Sequence, residues 1–381
     1  MKHALLLSFV LLVVFNSVYV PKVTAGEPLE NFIPQHDSMI KKFSPQLSTH
    51  CLGRYLIDFP KDLGKPRLSY AMLYFGLGTD FKTVEVRMPL MERIDRAAFD
   101  LLVEKLSNEL KATFNPTIGK SMLLEQQVIE TPNGQGILIR HLKTKELRDT
   151  TIETELHLLV QGQYVVLVAK SYPPESSFND QSKDVYKLAD PVDTEKRLVS
   201  LAQHLTPITD PERAGPGLCL NSVLIDQWRA GFDEERVIFD FNDTTDEQPK
   251  LTISLNGRFG YEKETLFDRA YRMLSMAAEV PEEGHVRKFR QVERPIGGMP
   301  FQEWADETYT EKDKATQYTF IVQNLPPEEK NKRLELPATN IILTSGTEKT
   351  SSLYSLPTLE KAWDQWLSTF RLSPGNGGKQ R

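Results

Sequence analysis

The sequence lacks the motifs by which common classes of hydrolase are recognised. It contains no Gly-x-Ser-x-Gly element of a serine nucleophile and no His-Glu-x-x-His element of a zinc protease. Beyond residue 25 no two histidines are three to five positions apart, so no local pair of metal ligands exists. We therefore predict that the protein is not an enzyme, with no catalytic residues, no metal ligands and no cofactor.

Cysteine is scarce, since the chain has only Cys51 and Cys219. This number excludes a small scaffold held by several disulfides and a zinc site built from cysteines. In an oxidising compartment the two thiols could form one disulfide that closes a loop of more than 160 residues. The alternative is two buried free thiols, each at the start of a core strand. The sequence alone leaves both open.

Positive charge is not in excess, because 52 acidic residues face 46 Lys and Arg, for a formal net charge of −6. No run of Lys or Arg interrupts this balance. A mildly acidic protein is a poor candidate for binding nucleic acid or an anionic lipid surface. We therefore expect neither a nucleic-acid partner nor stable insertion into a membrane.

Long hydrophobic runs are also missing beyond the first residues. Lys2 and His3 precede an apolar run over 4–14, and Val23-Thr24-Ala25 follows it. This run is too short for a bilayer span, which needs about 20 residues. Its charged start and its small-residue end are typical of a secretory signal peptide. We predict that residues 1–25 are a signal peptide cleaved after Ala25 and that the protein is exported.

What the chain does contain is a repeated plan. Cys51-Leu-Gly-Arg-Tyr-Leu-Ile-Asp58 reappears as Cys219-Leu-Asn-Ser-Val-Leu-Ile-Asp226, 168 residues later, with five of eight positions identical. The same offset separates two amphipathic helix patterns that begin at Phe99 and Phe267. Each has apolar residues at i, i+3, i+4, i+7 and i+11, which is the spacing of one buried helix face. The repeat indicates two copies of one domain.

The fold class predicted from this plan is α+β, with two tandem, internally duplicated domains. Each domain should be a mostly antiparallel sheet packed with two helices. We expect helices at 96–114, 194–205, 264–278 and 359–370, and strands at 55–59, 68–75, 83–90, 136–142, 151–159, 164–171, 237–241, 251–255, 301–304, 316–322 and 340–344. The domain boundaries follow from composition: a signal peptide at 1–25, an extended lead-in at 26–45, an N-terminal domain at 46–206, a Pro- and Gly-rich linker at 207–217, a C-terminal domain at 218–374 and a disordered tail at 375–381.

Acidic clusters in the second half are the candidate partner-binding residues. We interpret them as loops that could present a negative surface to a basic partner, although solvated loops without a partner would look the same. The residues are Asp233, Glu234, Glu235, Asp243, Asp246, Glu247, Glu282 and Glu283. Two further pairs, His141 with His157 and Asp58 with Asp226, could meet in space but more often have separate structural roles.

Three segments carry a resemblance to a known family. Cys51-Leu-Gly-Arg-Tyr-Leu-Ile-Asp-Phe-Pro60, Gly215-Pro-Gly-Leu-Cys-Leu-Asn221 and Trp366-Leu-Ser-Thr-Phe-Arg-Leu-Ser-Pro-Gly375 resemble the immunity proteins that accompany type VI secreted phospholipases. The resemblance implies an inhibitor in the periplasm of a Gram-negative bacterium. It also implies a two-domain clamp that forms a heterodimer with a cognate lipase and blocks lid opening or access to the active site.

A second reading stays open at this point. An exported chain of this length could also be a periplasmic hydrolase, or a ligand-binding protein with a site between its two domains. A bound small molecule or intrinsic hydrolytic activity would favour that reading.

Overall fold

The computed structural model describes residues 41–76, 82–90, 92–116, 118–145, 151–172, 190–241, 249–257, 264–278, 284–325, 336–373 and 376. The predicted signal peptide and most of the predicted lead-in and tail lie outside these residues. Within them, no helix has both the length and the apolar character that are needed to cross a bilayer.

The described residues of the first half form eleven strands and two helices. In chain order they are β1 (Leu47–Gly53), β2 (Tyr55–Pro60), β3 (Arg67–Phe75), β4 (Lys82–Arg87), α1 (Arg96–Ala112), β5 (Phe114–Asn115), β6 (Lys120–Ser121), β7 (Leu123–Thr131), β8 (Gly134–Leu142), β9 (Ile152–Val160), β10 (Gln163–Ser171), α2 (Pro191–Ala202) and β11 (Leu205–Pro207).

The described residues of the second half form nine strands, two long helices and one short helix. They are β12 (Leu218–Leu220), β13 (Val223–Ile225), α3 (Gln227–Ala230), β14 (Glu234–Phe241), β15 (Lys250–Asn256), α4 (Leu266–Ala278), β16 (Gly284–Ile296), β17 (Met299–Thr310), β18 (Ala315–Asn324), β19 (Ala338–Ser345), α5 (Leu356–Thr369) and β20 (Arg371–Leu372).

Twelve of these strands form one antiparallel sheet in the order β16-β17-β18-β19-β15-β14-β3-β4-β10-β9-β8-β7. The two halves meet at its centre, where β3 pairs with β14. Outward from that pair, the strands of the first half follow in the order β3, β4, β10, β9, β8 and β7, and those of the second half in the order β14, β15, β19, β18, β17 and β16. In each half, the first two strands of this sheet are thus followed by the last one and then by the others in reverse chain order. The predicted mostly antiparallel α+β class is confirmed. However, the halves share one sheet, whereas the prediction gave each domain its own.

A second sheet of six short strands runs in the order β11-β13-β12-β1-β2-β20. Its centre is again a junction between the halves, with β1 paired to β12. Each half supplies a hairpin, and the closing strand of each half pairs with the hairpin of the other. Strand β11 of the first half pairs with β13, and β20 of the second half pairs with β2. Each half therefore supplies the strand that lies at the outer edge of the other half's hairpin in this small sheet.

The helices and the six-stranded sheet cover the two faces of the large sheet. Helices α2 and α5 and the small sheet share one apolar core with the inner face of the large sheet. Helices α1 and α4 pack on the outer face, α1 against β7, β8 and β9 and α4 against β17. The fold therefore has three layers: the outer helices α1 and α4, the large sheet, and the small sheet with α2 and α5. The two halves pair with each other at the centre of both sheets.

Local sequence explains where the first two helices begin. Asp95 caps α1 by accepting a hydrogen bond from the N–H of Ala98 at 2.8 Å. Helix α2 begins at Pro191, three residues before the predicted start, because the Asp190 carboxylate accepts the N–H of Val192 at 2.6 Å.

The predicted buried stripes are only partly buried. Phe99 and Val103 of α1 are closed to solvent, but Leu102 is 38% exposed. On α4, Tyr271 is 45% exposed, whereas Leu266, one position before the predicted stripe, is buried. Both outer helices therefore keep apolar surface in contact with water.

Candidate functional site

The junction between the halves is closed by a disulfide bond between Cys51 and Cys219. Both residues are completely buried, on the neighbouring strands β1 and β12. They occupy equivalent positions of the repeated sequence, and the matching strand orders bring equivalent positions together at the centre of the small sheet. The bond that the sequence left open is formed.

A buried ion pair joins the halves a second time. Arg54, in the turn between β1 and β2, donates from Nε to Oε1 of Glu235 at 2.9 Å and from Nη2 to Oε2 at 2.5 Å. Glu235 lies in β14 and is not exposed at all. A bidentate pair of this kind satisfies both charged groups away from water. Glu235 is therefore an internal residue, which corrects its prediction as a partner-binding loop residue.

The remaining acidic candidates divide into two sets. Glu234 is in the same strand and only 6% exposed, so it too is not a loop residue, and Asp233 accepts the N–H of Gly76 at 2.6 Å. Asp233 precedes β14 and is exposed, so its role in binding stays a prediction. The other five, Asp243, Asp246, Glu247, Glu282 and Glu283, lie outside the described residues, so their role in binding stays a prediction.

The two repeated aspartates have separate structural roles. Asp226 accepts from the N–H of Arg229 at 3.4 Å and so caps the short helix α3. Asp58 lies in β2, where its N–H donates to Oγ1 of Thr369 at 2.9 Å and its carboxylate is 3.4 Å from Arg371. Each carboxylate is used locally, as the sequence analysis favoured.

A groove with a mixed polar and apolar lining lies along β7, one outer edge of the large sheet. It measures about 450 Å³ and is lined by Lys111 of α1, by residues 123–128 and by Ile137; we call it the β7 groove. Val128 is 57% exposed and Leu124 is 40% exposed in its floor. Strand β7 ends the strand order, so its outer backbone groups have no strand partner among the described residues. Such an edge can receive an extended peptide as an additional strand.

The opposite edge, β16, has a different chemistry. Its thirteen residues include Arg287, Lys288, Arg290, Arg294 and Pro295. Positive side chains and proline on an edge strand prevent another strand from pairing with it. Strand β7, which reads Leu-Leu-Glu-Gln-Gln-Val-Ile-Glu-Thr, carries neither. Of the two equivalent edges, the one in the first half is open to a partner.

The arginines of β16 are engaged in a network on the inner face. Arg290 contacts the carboxylates of Glu303, Glu360 and Asp364 at 2.7–3.1 Å. Glu303 is fully buried and also accepts the indole N–H of Trp363 at 2.7 Å. Burial opposes the charge of Arg290, but Asp364 and Glu303 outweigh it and raise the pKa of Arg290. This network fixes α5 on the large sheet.

A cluster of titratable residues lies on the outer face of the sheet, beside α1. His141 of β8 and Glu153 and Glu155 of β9 are each 8–9% exposed, and His157 is 2% exposed. His141 and His157, which the sequence allowed to meet, both reach Glu155: the Nε2 atoms lie 3.8 Å and 3.1 Å from its two oxygens.

The ionisable groups in this cluster shift one another's pKa values. Burial disfavours the ionised form of Glu155, but the two histidines outweigh it and lower the pKa of that carboxyl group. Burial likewise opposes a proton on His141, yet Glu155 and the carbonyl of Leu142 raise the pKa of His141. Burial and Glu155 together raise the pKa of Tyr164 to about 12. The spacing rule used for local metal pairs overlooked this cluster because its members come from different strands.

Two family models match the chain, and together they cover most of it. The model of the Tle cognate immunity protein 4 N-terminal domain matches residues 48–208. The model of the Tle cognate immunity protein 4 C-terminal domain matches residues 213–375. A comparison with curated protein sequences gave no significant match.

Solved structures with a similar fold extend over nearly the same residues. The apo structure of the immunity protein TplEi of the T6SS from Pseudomonas aeruginosa has a TM-score of 0.58 at 18% identity, with 86% of this chain and 97% of that chain covered. The crystal structure of a Tle4-Tli4 complex contains a chain with a TM-score of 0.56 at 19% identity, with coverages of 86% and 98%. At these identities the likeness concerns the fold.

Proposed function

This chain belongs to the Tle cognate immunity protein 4 family, and we propose on that basis that it binds and neutralises a cognate phospholipase effector of a type VI secretion system. The observation that carries the proposal is the match of both family domains over almost all of the described chain. A structure with the same fold was solved as a Tle4-Tli4 complex, which supports a heterodimer of effector and immunity protein. On this proposal the protein is an inhibitor and not an enzyme.

The proposed compartment is the periplasm. The apolar N-terminal segment with its small-residue end supports export, with residues 1–25 as signal peptide. The buried bond between Cys51 and Cys219 supports an oxidising compartment, because such bonds persist there and are rare in the cytosol.

The proposed mode of inhibition is a clamp whose two arms are the two duplicated halves. Support for duplication comes from the repeated sequence and from the equal strand order in the two halves. The N-terminal domain at 46–206, the linker at 207–217 and the C-terminal domain at 218–374 are kept as the proposed boundaries. The continuous sheet and the disulfide would hold the arms at a fixed separation, which reduces the entropic cost of binding.

The contact surface that the structure favours in the first arm is the β7 groove. It combines exposed apolar side chains with an edge strand that lacks the positive side chains and the proline of β16. We propose that an extended segment of the lipase lies along β7 and contacts Leu124 and Val128. The acidic residues 243, 246, 247, 282 and 283 are the proposed contacts of the second arm.

The alternative of a ligand site between the halves receives little support. A cavity that is lined by residues of both halves, among them Met88, Gln163 and Asn221, encloses only about 20 Å³. Sites for small molecules are usually about 300–1,000 Å³.

The test mixes the purified mature protein with the lipase encoded by the neighbouring gene. We expect one complex of 1:1 stoichiometry on size-exclusion chromatography with light scattering, and loss of phospholipid hydrolysis on vesicles. A soluble short-chain ester distinguishes the two modes of inhibition. Its hydrolysis persists if the clamp only prevents lid opening at the membrane and stops if the active site itself is covered. A lipase that neither binds nor loses activity would overturn the proposal.

A further inference from the structure

The outer-face cluster beside α1 holds three metal-ligating side chains in one place. His141 and Glu153 are direct partners across β8 and β9, and Glu155 is two residues further along β9 on the same face. One ligand atom from each of the three lies within 4.8 Å of the others. All three residues are at least nine-tenths buried. Two buried carboxylates and a histidine need compensating positive charge, since burying like charges together is costly.

The hydrogen bond of His141 fixes which ring nitrogen faces the carboxylates. Nδ1 lies 2.9 Å from the carbonyl oxygen of Leu142. A carbonyl oxygen can only accept, so Nδ1 carries the hydrogen and Nε2 of the neutral ring presents a lone pair. That lone pair is 3.8 Å from Oε1 of Glu155. A cation between these two acceptors, either a proton or a metal ion, would bind favourably to both. A metal-bound histidine typically donates its other N–H to a backbone carbonyl in this way.

Neighbouring side chains contact the two carboxylates and so orient them. His157 is 3.1 Å from Oε2 of Glu155, and its Nδ1 is 2.7 Å from the hydroxyl of Tyr164. Nε2 of His157 is buried and has no hydrogen-bond partner of good geometry among the described residues. Arg87 is held mainly by two bonds to Glu85, at 2.8 and 3.0 Å, and reaches Oε1 of Glu155 at 3.2 Å. Lys170 is 3.8 Å from Glu153.

We propose that Nε2 of His141 and the carboxylates of Glu153 and Glu155 bind a zinc ion, with His157 as the residue that positions Glu155. Three protein ligands of nitrogen and oxygen type suit zinc, with water at the fourth position. Ligand atoms about 2.0–2.2 Å from zinc at tetrahedral angles are about 3.3 Å apart. The ligand atoms of His141 and Glu155 are 3.8 Å apart and the whole set lies within 4.8 Å, so zinc binding requires the side chains to close by at most about 1.5 Å. The ion would tie β8 to β9 beneath α1. This inference is independent of the proposed inhibition.

The experiment uses the full mature protein, freed of metal with a chelator and titrated with zinc chloride in a calorimeter. We expect one zinc ion per chain with micromolar or tighter affinity and a rise in melting temperature on binding. His141→Ala and Glu155→Gln should each weaken binding at least about tenfold. The matched control is His285→Ala, because His285 lies on β16, at the other edge of the sheet. That variant should bind zinc like the unmodified protein.

Circular dichroism checks that the variants fold, and X-ray absorption of the zinc complex of the unmodified protein supplies an independent measurement. One imidazole with oxygen ligands is expected. The absence of stoichiometric binding overturns the proposal, as does equal binding by His141→Ala or a spectrum with sulfur ligands or several imidazoles. A result in which only His285→Ala loses binding assigns the metal to a surface site and also overturns it.

Discussion

The guanidinium of Arg54 and the carboxylate of Glu235 form a two-point ion pair that solvent does not reach. The two residues are 181 positions apart in sequence and belong to different halves of the chain. The pair therefore makes the packing of one half dependent on the other, and it can be tested directly.

Replacing Glu235 by Gln should leave the charge of Arg54 buried and uncompensated. Loss of one partner from a buried pair typically costs about 3–5 kcal/mol in the free energy of unfolding. Urea denaturation followed by tryptophan fluorescence measures this cost. The double variant Arg54→Met, Glu235→Leu is the control, because it removes both charges and should recover much of the loss. Equal stability of the single variant and the unmodified protein would contradict this role.

Removing the disulfide should destabilise the protein while leaving its fold intact. The Cys51–Cys219 bond spans 168 residues, and chain entropy gives such a closure up to about 5 kcal/mol. The variant Cys51→Ala, Cys219→Ala should unfold at a lower urea concentration than the oxidised protein. The reductant dithiothreitol should lower the midpoint of the unmodified protein and leave that of the variant unchanged. A reductant effect of equal size on both would show that the bond is not responsible.

A charge in the β7 groove should weaken binding of the lipase. Val128→Arg introduces a charged side chain at the centre of the proposed contact, and we expect at least about tenfold weaker affinity, or about 1.4 kcal/mol. Surface plasmon resonance with the immobilised lipase measures it. Val192→Arg is the matched control, since Val192 is 55% exposed against 57% for Val128 but lies at the start of α2 on the inner face. Equal loss in both variants would argue against a specific role for the groove.

Acid should destabilise the protein through His50. Burial lowers the pKa of His50 to about 4, although the charge of Asp58 opposes the shift. The ring packs against Phe241 at 5.5 Å, and its Nε2 has no hydrogen-bond partner among the described residues. The unfolded chain binds the proton near pH 6.5 and the folded chain only near pH 4. Stability contributed by the neutral ring is therefore complete above pH 6.5 and is lost as the pH falls toward 4, by an amount on the order of 3 kcal/mol.

The variant His50→Leu tests this assignment. Its free energy of unfolding should fall less between pH 7 and pH 4 than that of the unmodified protein, as measured by urea denaturation at each pH. An identical pH dependence in the two proteins would assign the acid sensitivity to other groups.

The sequence predicts best those strands and helices that bury one face along their whole length. Helix 96–114 and strands 68–75 and 164–171 were predicted to within three residues, because a buried face leaves a clear period in the sequence. The two long strands that the prediction missed are β7 and β16, the equivalent edges of the large sheet. Edge strands carry polar and charged residues on surfaces that a central strand would fill with apolar ones, so their alternation is weak.

Relationships between distant segments were beyond what the sequence could provide. The pairing of three-residue strands such as β12 and β13 depends on closure of the whole fold and leaves no periodic pattern. The burial of Glu235 depends on Arg54, and nothing in the acidic stretch itself indicates that partner. The proposed zinc ligands could not be predicted from the sequence for the same reason, since β8 and β9 bring together residues that lie twelve and fourteen positions apart.

The exchange of β11 and β20 between the halves has a consequence for how this family can change its targets. Each half leaves its last strand in the other half's small sheet, so a half transplanted from a relative would bring a closing strand shaped for a different hairpin. Recombination of whole halves therefore produces mismatched edges rather than new binders. We expect a new specificity to be reached more readily by substitutions on the outer edges and loops, where the proposed partner contacts lie and where changes leave the shared centre intact.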